Sequence, residues 1–135
     1  MIFLDTGYFV ALLDPRDELH ALALAWSVAL NEPAILTEFI LLETTNLFSH
    51  PAERPRVHAL IDQLHTMAEY EIVPADSILF RAGLSLHRQR GDKWWSLTDC
   101  ISFVVMQQRG IARALSYDKH FEQAGFQALL RSEPP

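Results

Sequence analysis

Cysteine is almost missing from this chain: Cys100 stands alone, so no internal disulfide can form and the fold must rest on a packed core. It follows Asp99 in an apolar run, which marks it as a small buried side chain rather than a nucleophile, and a reducing compartment suits it. Long apolar runs are missing too. None approaches the roughly 18 residues that a membrane span needs, and the opening MIFLD has no cationic stretch ahead of its first acid, so the chain reads as cytoplasmic with no membrane partner. Basic charge is scarce: 11 Lys and Arg against 17 Asp and Glu leave a formal net charge of −6. That balance argues against a domain that grips nucleic acid through a broad basic surface. It leaves room for a nuclease, because acids loaded with a divalent cation attract phosphate. There is no internal repeat, no low-complexity tract and no His-Glu-x-x-His spacing of a zinc site.

What remains suffices for one core. At 135 residues and 50% hydrophobic, the chain reads as a single domain over residues 1–131 with a flexible tail at 132–135. Residues 2–4 are an apolar run too short for a helix and suit a buried strand ending at Asp5. After a turn at Asp14 and Pro15, Leu19, Leu22, Ala23, Trp26 and Leu30 recur at helical spacing. A strand over 34–36 leads to Thr37, placed to cap a helix on which Phe39, Ile40, Glu43 and Leu47 share a face. Residues 51–55 read as a loop, followed by a helical stripe of Val57, Leu60, Ile61 and Leu64, with His58 and His65 on its outer side. Residues 70–73 make a third strand, and Asp76 is placed to cap a helix carrying Leu79, Ala82 and Leu86 inward. A loop over 91–95 precedes a buried helix from Leu97 to about Arg109 that Gly110 stops, with strands at 112–116 and 126–130 closing the pattern. Strands joined by helical crossovers imply a five-stranded parallel sheet covered on both faces, with ligands bound beyond the strands' C-terminal ends.

Four acids interrupt these apolar stretches: Asp5, Glu43, Asp99 and Asp118. Singly, each has an ordinary explanation, as a turn cap, an acid favoured at a helix start, or the partner of an arginine. Together they form a pattern, since two end strands on one sheet edge and two sit on inward faces of helices. An unpartnered carboxylate in such a place is costly, and a divalent cation shared among several is one of the few partners that satisfies them.

The segments MIFLDTGYFVALLD, LTEFILLETTNLF, WWSLTDCISFVVM and ALSYDKHFEQAGF span nearly the whole chain, and with them it closely resembles the PIN-domain ribonucleases, within them the VapC-type toxins of toxin–antitoxin pairs. The resemblance implies a three-layer α/β/α sandwich with a mostly parallel sheet. Carried over position by position, Asp5, Glu43, Asp99 and Asp118 match the acids that bind one or two Mg²⁺ or Mn²⁺ ions, and Thr6 and Thr98 match hydroxyl positions beside two of them. Thr98 also reads as an ordinary helix cap. The implied activity is endoribonuclease hydrolysis, with water as nucleophile and products carrying 5′-phosphate and 3′-hydroxyl ends. The implied partners are an RNA substrate, a cognate antitoxin and a second copy of the chain. The apolar helices at 39–48 and 57–64 offer such surfaces, although core packing leaves the same stripes.

Arg88, Arg90, Lys93 and Lys119 flank the last two acids and are candidates for RNA backbone contacts, or simply cations favoured at a helix end. Trp94 and Trp95 offer a stacking face for a base, or packing beneath their loop. The histidines are left out of the site; His120 alone falls near it and is expected to face solvent. Two other functions fit the same residues: a PIN nuclease of RNA processing that lacks an antitoxin, and a non-catalytic module that holds metal or RNA.

Overall fold

The computed structural model describes residues 1–135. Its sheet is built from β1 (Ile2–Leu4), β2 (Ala34–Thr37), β3 (Tyr70–Val73), β4 (Arg113–Leu115) and β5 (Gln127–Ala128), in the spatial order β3-β2-β1-β4-β5 with every neighbouring pair parallel. The sheet is therefore wholly rather than mostly parallel. Its central strands bury Ile2, Phe3, Leu4, Ala34, Ile35, Leu36, Ala114 and Leu115 completely or nearly so, as expected for continuous apolar strands covered on both faces.

Helices α1 (Thr6–Leu13) and α2 (His20–Ala29) connect β1 to β2, and α3 (Glu38–Leu47) and α4 (Arg54–Thr66) connect β2 to β3. The chain then crosses back through α5 (Ser77–Gln89) and α6 (Leu97–Arg109) to β4, and through α7 (Lys119–Gln123) to β5. Right-handed crossovers that run in opposite directions place α1 to α4 on one face and α5 to α7 on the other. The packing agrees, with α1 against α2 and α3, and α6 against α5 and α7. This is the α/β/α sandwich, and its strand order reverses between β1 and β4, where open parallel sheets form a crevice.

Local chemistry sets most boundaries. Thr37 and Asp76 cap α3 and α5, accepting from the Ile40 and Leu79 amides at 3.2 and 2.7 Å. Gly110 ends α6 with a positive φ of 65°, a conformation that side chains with a Cβ resist. Some expectations shift. The loop assigned to 51–55 is shorter, because Pro55 falls in the first turn of α4, where its missing N–H costs nothing. The strand expected over 126–130 pairs only at Gln127 and Ala128 before Leu129–Arg131 turn into a 3₁₀ segment. Two helices, α1 and α7, have no counterpart in the sequence reading. No helix is long and apolar enough to cross a membrane. Near the C-terminus, the Trp26 indole donates to the Ser132 carbonyl at 2.9 Å.

Candidate metal centre

The switch point between β1 and β4 opens into a cavity of about 560 Å³, and Asp5, Glu43, Asp99 and Asp118 all line it. Each arrives by a different route. Asp5 is the residue between β1 and α1, Glu43 lies midway along α3, Asp99 sits in the first turn of α6, and Asp118 is the N-cap of α7. Thr6, Lys119, Tyr117 and Arg131 complete much of the wall.

Each aspartate is held by one oxygen. Asp5 Oδ2 accepts from the buried Ser116 hydroxyl at 2.8 Å, and the same hydroxyl accepts from the Asp118 amide at 3.1 Å, so Ser116 fixes two acids at once. Asp99 Oδ2 accepts from the Ser96 amide at 3.1 Å, and Ser96 Oγ in return accepts from the Asp99 amide at 3.0 Å, a reciprocal capping box. Ser96 thus caps α6, not Thr98, which does not line the cavity. Asp118 Oδ1 accepts from the His120 amide at 2.9 Å. Held this way, Asp5 and Asp99 each keep the other oxygen for a ligand in the cavity.

His120 corrects the sequence reading. Its side chain is only 18% exposed, and Nδ1–H donates to Asp99 Oδ2 at 3.0 Å with Asp118 Oδ1 at 3.4 Å. The cause is the start of α7 directly after Asp118, which folds the backbone back and turns the ring toward α6. Ligand atoms of Asp99, Asp118 and His120 lie within 4.8 Å of one another, close enough to share one ion. Ser116 was also missed; it reads as the end of a strand, and only its position two residues before Asp118 hints at a link. The proposed RNA contacts separate. Lys119 lines the cavity, Arg90 is tied to Asp92 at 3.0 and 3.1 Å, and Arg88 is an exposed residue at the end of α5.

The electrostatics favour a cation. Burial pushes Asp5 up to about 7; the Ser116 hydroxyl opposes this, while the charges of Asp99 and Glu43 add to it. Asp99 is raised as well, first by burial, with the His120 and Ser96 donors working against it. Thr6 Oγ1 is buried beside Asp5 with no hydrogen-bond partner. Burial disfavours the charged forms of Asp5 and Asp99, and a hard divalent ion held by their oxygens would favour them.

An all-parallel α/β/α sandwich that gathers carboxylates at its switch point defines the class of protein. The chain belongs to the PIN domain family, whose profile matches residues 2–127. Along its length it is similar to the 23S rRNA-specific endonuclease VapC20 of Mycobacterium tuberculosis, in strains CDC 1551 / Oshkosh and ATCC 25618 / H37Rv: 33% identity over 129 residues, covering 93% of this chain and 95% of the relative. It is thus a homologue of a VapC-type endonuclease. The crystal structure of M. tuberculosis VapC20, described as a Sarcin-Ricin loop cleaving toxin, matches with a TM-score of 0.86 over 99% of this chain and 100% of that one, with 22% identity. FitAcB from Neisseria gonorrhoeae matches with a TM-score of 0.65 and 20% identity, covering 95% and 96%. Those two structural likenesses bear on the fold alone.

Proposed function

We propose that the chain is a metal-dependent endoribonuclease, the toxin of a toxin–antitoxin pair, formed by one nuclease domain over residues 1–131. The observation that carries this reading is the convergence of Asp5, Glu43, Asp99 and Asp118 on one cavity at the switch point. These four would hold Mg²⁺ or Mn²⁺, one ion or two, since their oxygens suit hard cations. The bound cation would lower the pKa of a water and neutralise charge on the scissile phosphate. The chain's own residues do the rest. Ser116 and His120 fix the carboxylates so that little reorganisation is needed when substrate arrives, and Lys119 on the rim meets the RNA backbone. Thr6, with its buried hydroxyl, is placed to hold a water or ligand beside Asp5.

Water as nucleophile leaves a 5′-phosphate on one product and a 3′-hydroxyl on the other. The likeness to VapC20 makes 23S rRNA the first substrate to test. Partnership with an antitoxin is supported by α3, which leaves Leu42 and Leu47 59% and 60% exposed, with Leu47 on the cavity wall. The α4 stripe does not add to that surface, since Val57 and Leu64 are buried in the core. Homodimerisation and a cytoplasmic location belong to the same reading.

Purified protein freed of any bound partner should cleave 23S rRNA or a mixed RNA pool with Mg²⁺ or Mn²⁺. EDTA should abolish cleavage, and so should Asp99→Asn, which keeps the capping acceptor but removes the charge. Cleavage that persists with EDTA, or full activity in Asp99→Asn, overturns the assignment. Metal binding without turnover on any RNA would favour the non-catalytic module.

A further inference from the structure

The chain has only two lysines, Lys93 and Lys119, and they come from different segments: the loop before α6 and the first position of α7. Both line one concavity of about 190 Å³, together with Asp92, Trp94, His120 and Gln123. Lys119 also lines the acid cavity, and His120 bonds Asp99, so the smaller concavity lies directly beside the proposed metal centre. Neither lysine has a carboxylate oxygen within 4.0 Å, whereas the acid in the wall, Asp92, is paired with Arg90.

Trp94 is 93% exposed, while its neighbour Trp95 is 5% exposed. A loose loop does not explain this. The Trp95 indole donates to Gln123 Oε1 at 3.0 Å, its ring meets Phe103 edge-on at 5.0 Å, and the Arg90 guanidinium lies 5.0 Å from its centroid. One residue further on, Ser96 is fixed by the α6 capping box. Ahead of Trp94 the Lys93 amide donates to the Arg90 carbonyl at 3.0 Å, so the loop is pinned on both sides, and that geometry holds the indole in water, forgoing the burial that a tryptophan ordinarily gains.

We infer that Trp94, Lys93 and Lys119 form a subsite for a nucleotide flanking the cleaved bond, its base stacked on the indole and its phosphates met by the two lysines. The inference rests on the nuclease reading and deepens it. Charge complementarity selects the occupant: a chain of net charge −6 concentrates its unpaired lysines around a solvent-facing aromatic, next to a set of acids that would hold a cation. Aromatic faces accept any unstacked base, and lysines accept any phosphate, so the subsite requires an RNA whose base is unpaired or splayed out at the cut.

The test uses full-length protein carrying Asp99→Asn, so that RNA binds without being cut, titrated with random-sequence single-stranded RNA oligonucleotides. Subtracting the signal of a Trp94→Phe partner isolates Trp94 fluorescence, which RNA should quench. Trp94→Ala should weaken binding about ten- to a hundredfold, with Trp94→Phe retaining most of it. Lys93→Ala and Lys119→Ala should each lower the slope of log affinity against log salt by about 0.7. In the otherwise native protein, Trp94→Ala should raise KM, relax the preference for unpaired nucleotides beside the cut and leave metal binding unchanged. An active enzyme whose KM and cut sites ignore Trp94→Ala overturns the subsite and keeps the nuclease. RNA quenching in a chain that never cleaves keeps the subsite and overturns the nuclease. Quenching by a protein partner but not by RNA overturns the subsite in favour of a protein contact.

Discussion

Asp5 is where burial and charge conflict most sharply. Its carboxyl is buried, and its folded pKa of about 7 lies above the 3.8 of an exposed aspartate. A raised folded pKa means that the fold prefers the protonated form, so without metal the stability is full below about pH 4 and falls as pH rises through 7. The loss attributable to Asp5 is on the order of 4 kcal/mol at its maximum, and the raised pKa of Asp99 acts in the same direction. Urea denaturation in EDTA should show stability declining between pH 4 and 7, with much of that decline absent in Asp5→Asn. Saturating Mn²⁺ should reverse the trend, because a cation binds the ionised acids. A flat profile in EDTA would contradict the burial argument. His120 supplies the second test at this scale. His120→Ala removes a donor from Asp99 and should cost about 10- to 100-fold in metal affinity or activity, while His120→Asn, which keeps an N–H on the side chain, should lose less. The four acids were legible because carboxylates in apolar stretches stand out in the sequence. His120 and Ser116 were not, because their importance lies in hydrogen bonds across the switch point that spacing along the chain does not encode.

Among the elements, the α5–α6 pair is the tightest constraint. Gly83 lies in the middle of α5, where alanine ordinarily favours a helix by about 1 kcal/mol. Here a Cβ would overlap Ile101 Cγ1 and stand 3.2 Å from the Ile101 Cα, so the gain is outweighed. Gly83→Ala should destabilise the fold by about 1–3 kcal/mol in chemical denaturation. Because α6 carries Asp99 at its N-terminus, activity should fall with it; an unchanged or raised stability would show that the two helices can part without cost. Elements with a polar face or a cap were read correctly from sequence, among them α3, α5 and α6. Helix α1 was not, because TGYFVALL is apolar almost throughout and buries Thr6, Tyr8, Phe9 and Ala11, leaving no alternation to reveal its period. Helix α7 is five residues long, too short to carry a helical repeat, and it is the element that delivers His120.

For the molecule as a whole, topology does the assembling. Running outward from β1 in both directions creates one crevice, and the acids reach it from the end of a strand, the middle of one helix and the starts of two others. That convergence suits a chain of net charge −6 to the proposed action on RNA: Asp5, Glu43, Asp99 and Asp118 are gathered where a cation would bind, and the unpaired lysines stand beside them. Parallel order, the number of strands and both covered faces followed from the alternation of strands and helices. Cleavage specificity did not, since in the proposed reading it would depend on loop surfaces such as that of Trp94, whose exposure is set only by tertiary packing. In the proposed mechanism these carboxylates would hold a divalent cation that directs water at an RNA phosphodiester. The most direct test of that mechanism is the end chemistry of RNA cut by the purified chain. The ends should be 5′-phosphate and 3′-hydroxyl, produced only with Mg²⁺ or Mn²⁺ and absent in Asp99→Asn. Cyclic phosphate ends, formed equally in EDTA and by that variant, would contradict it.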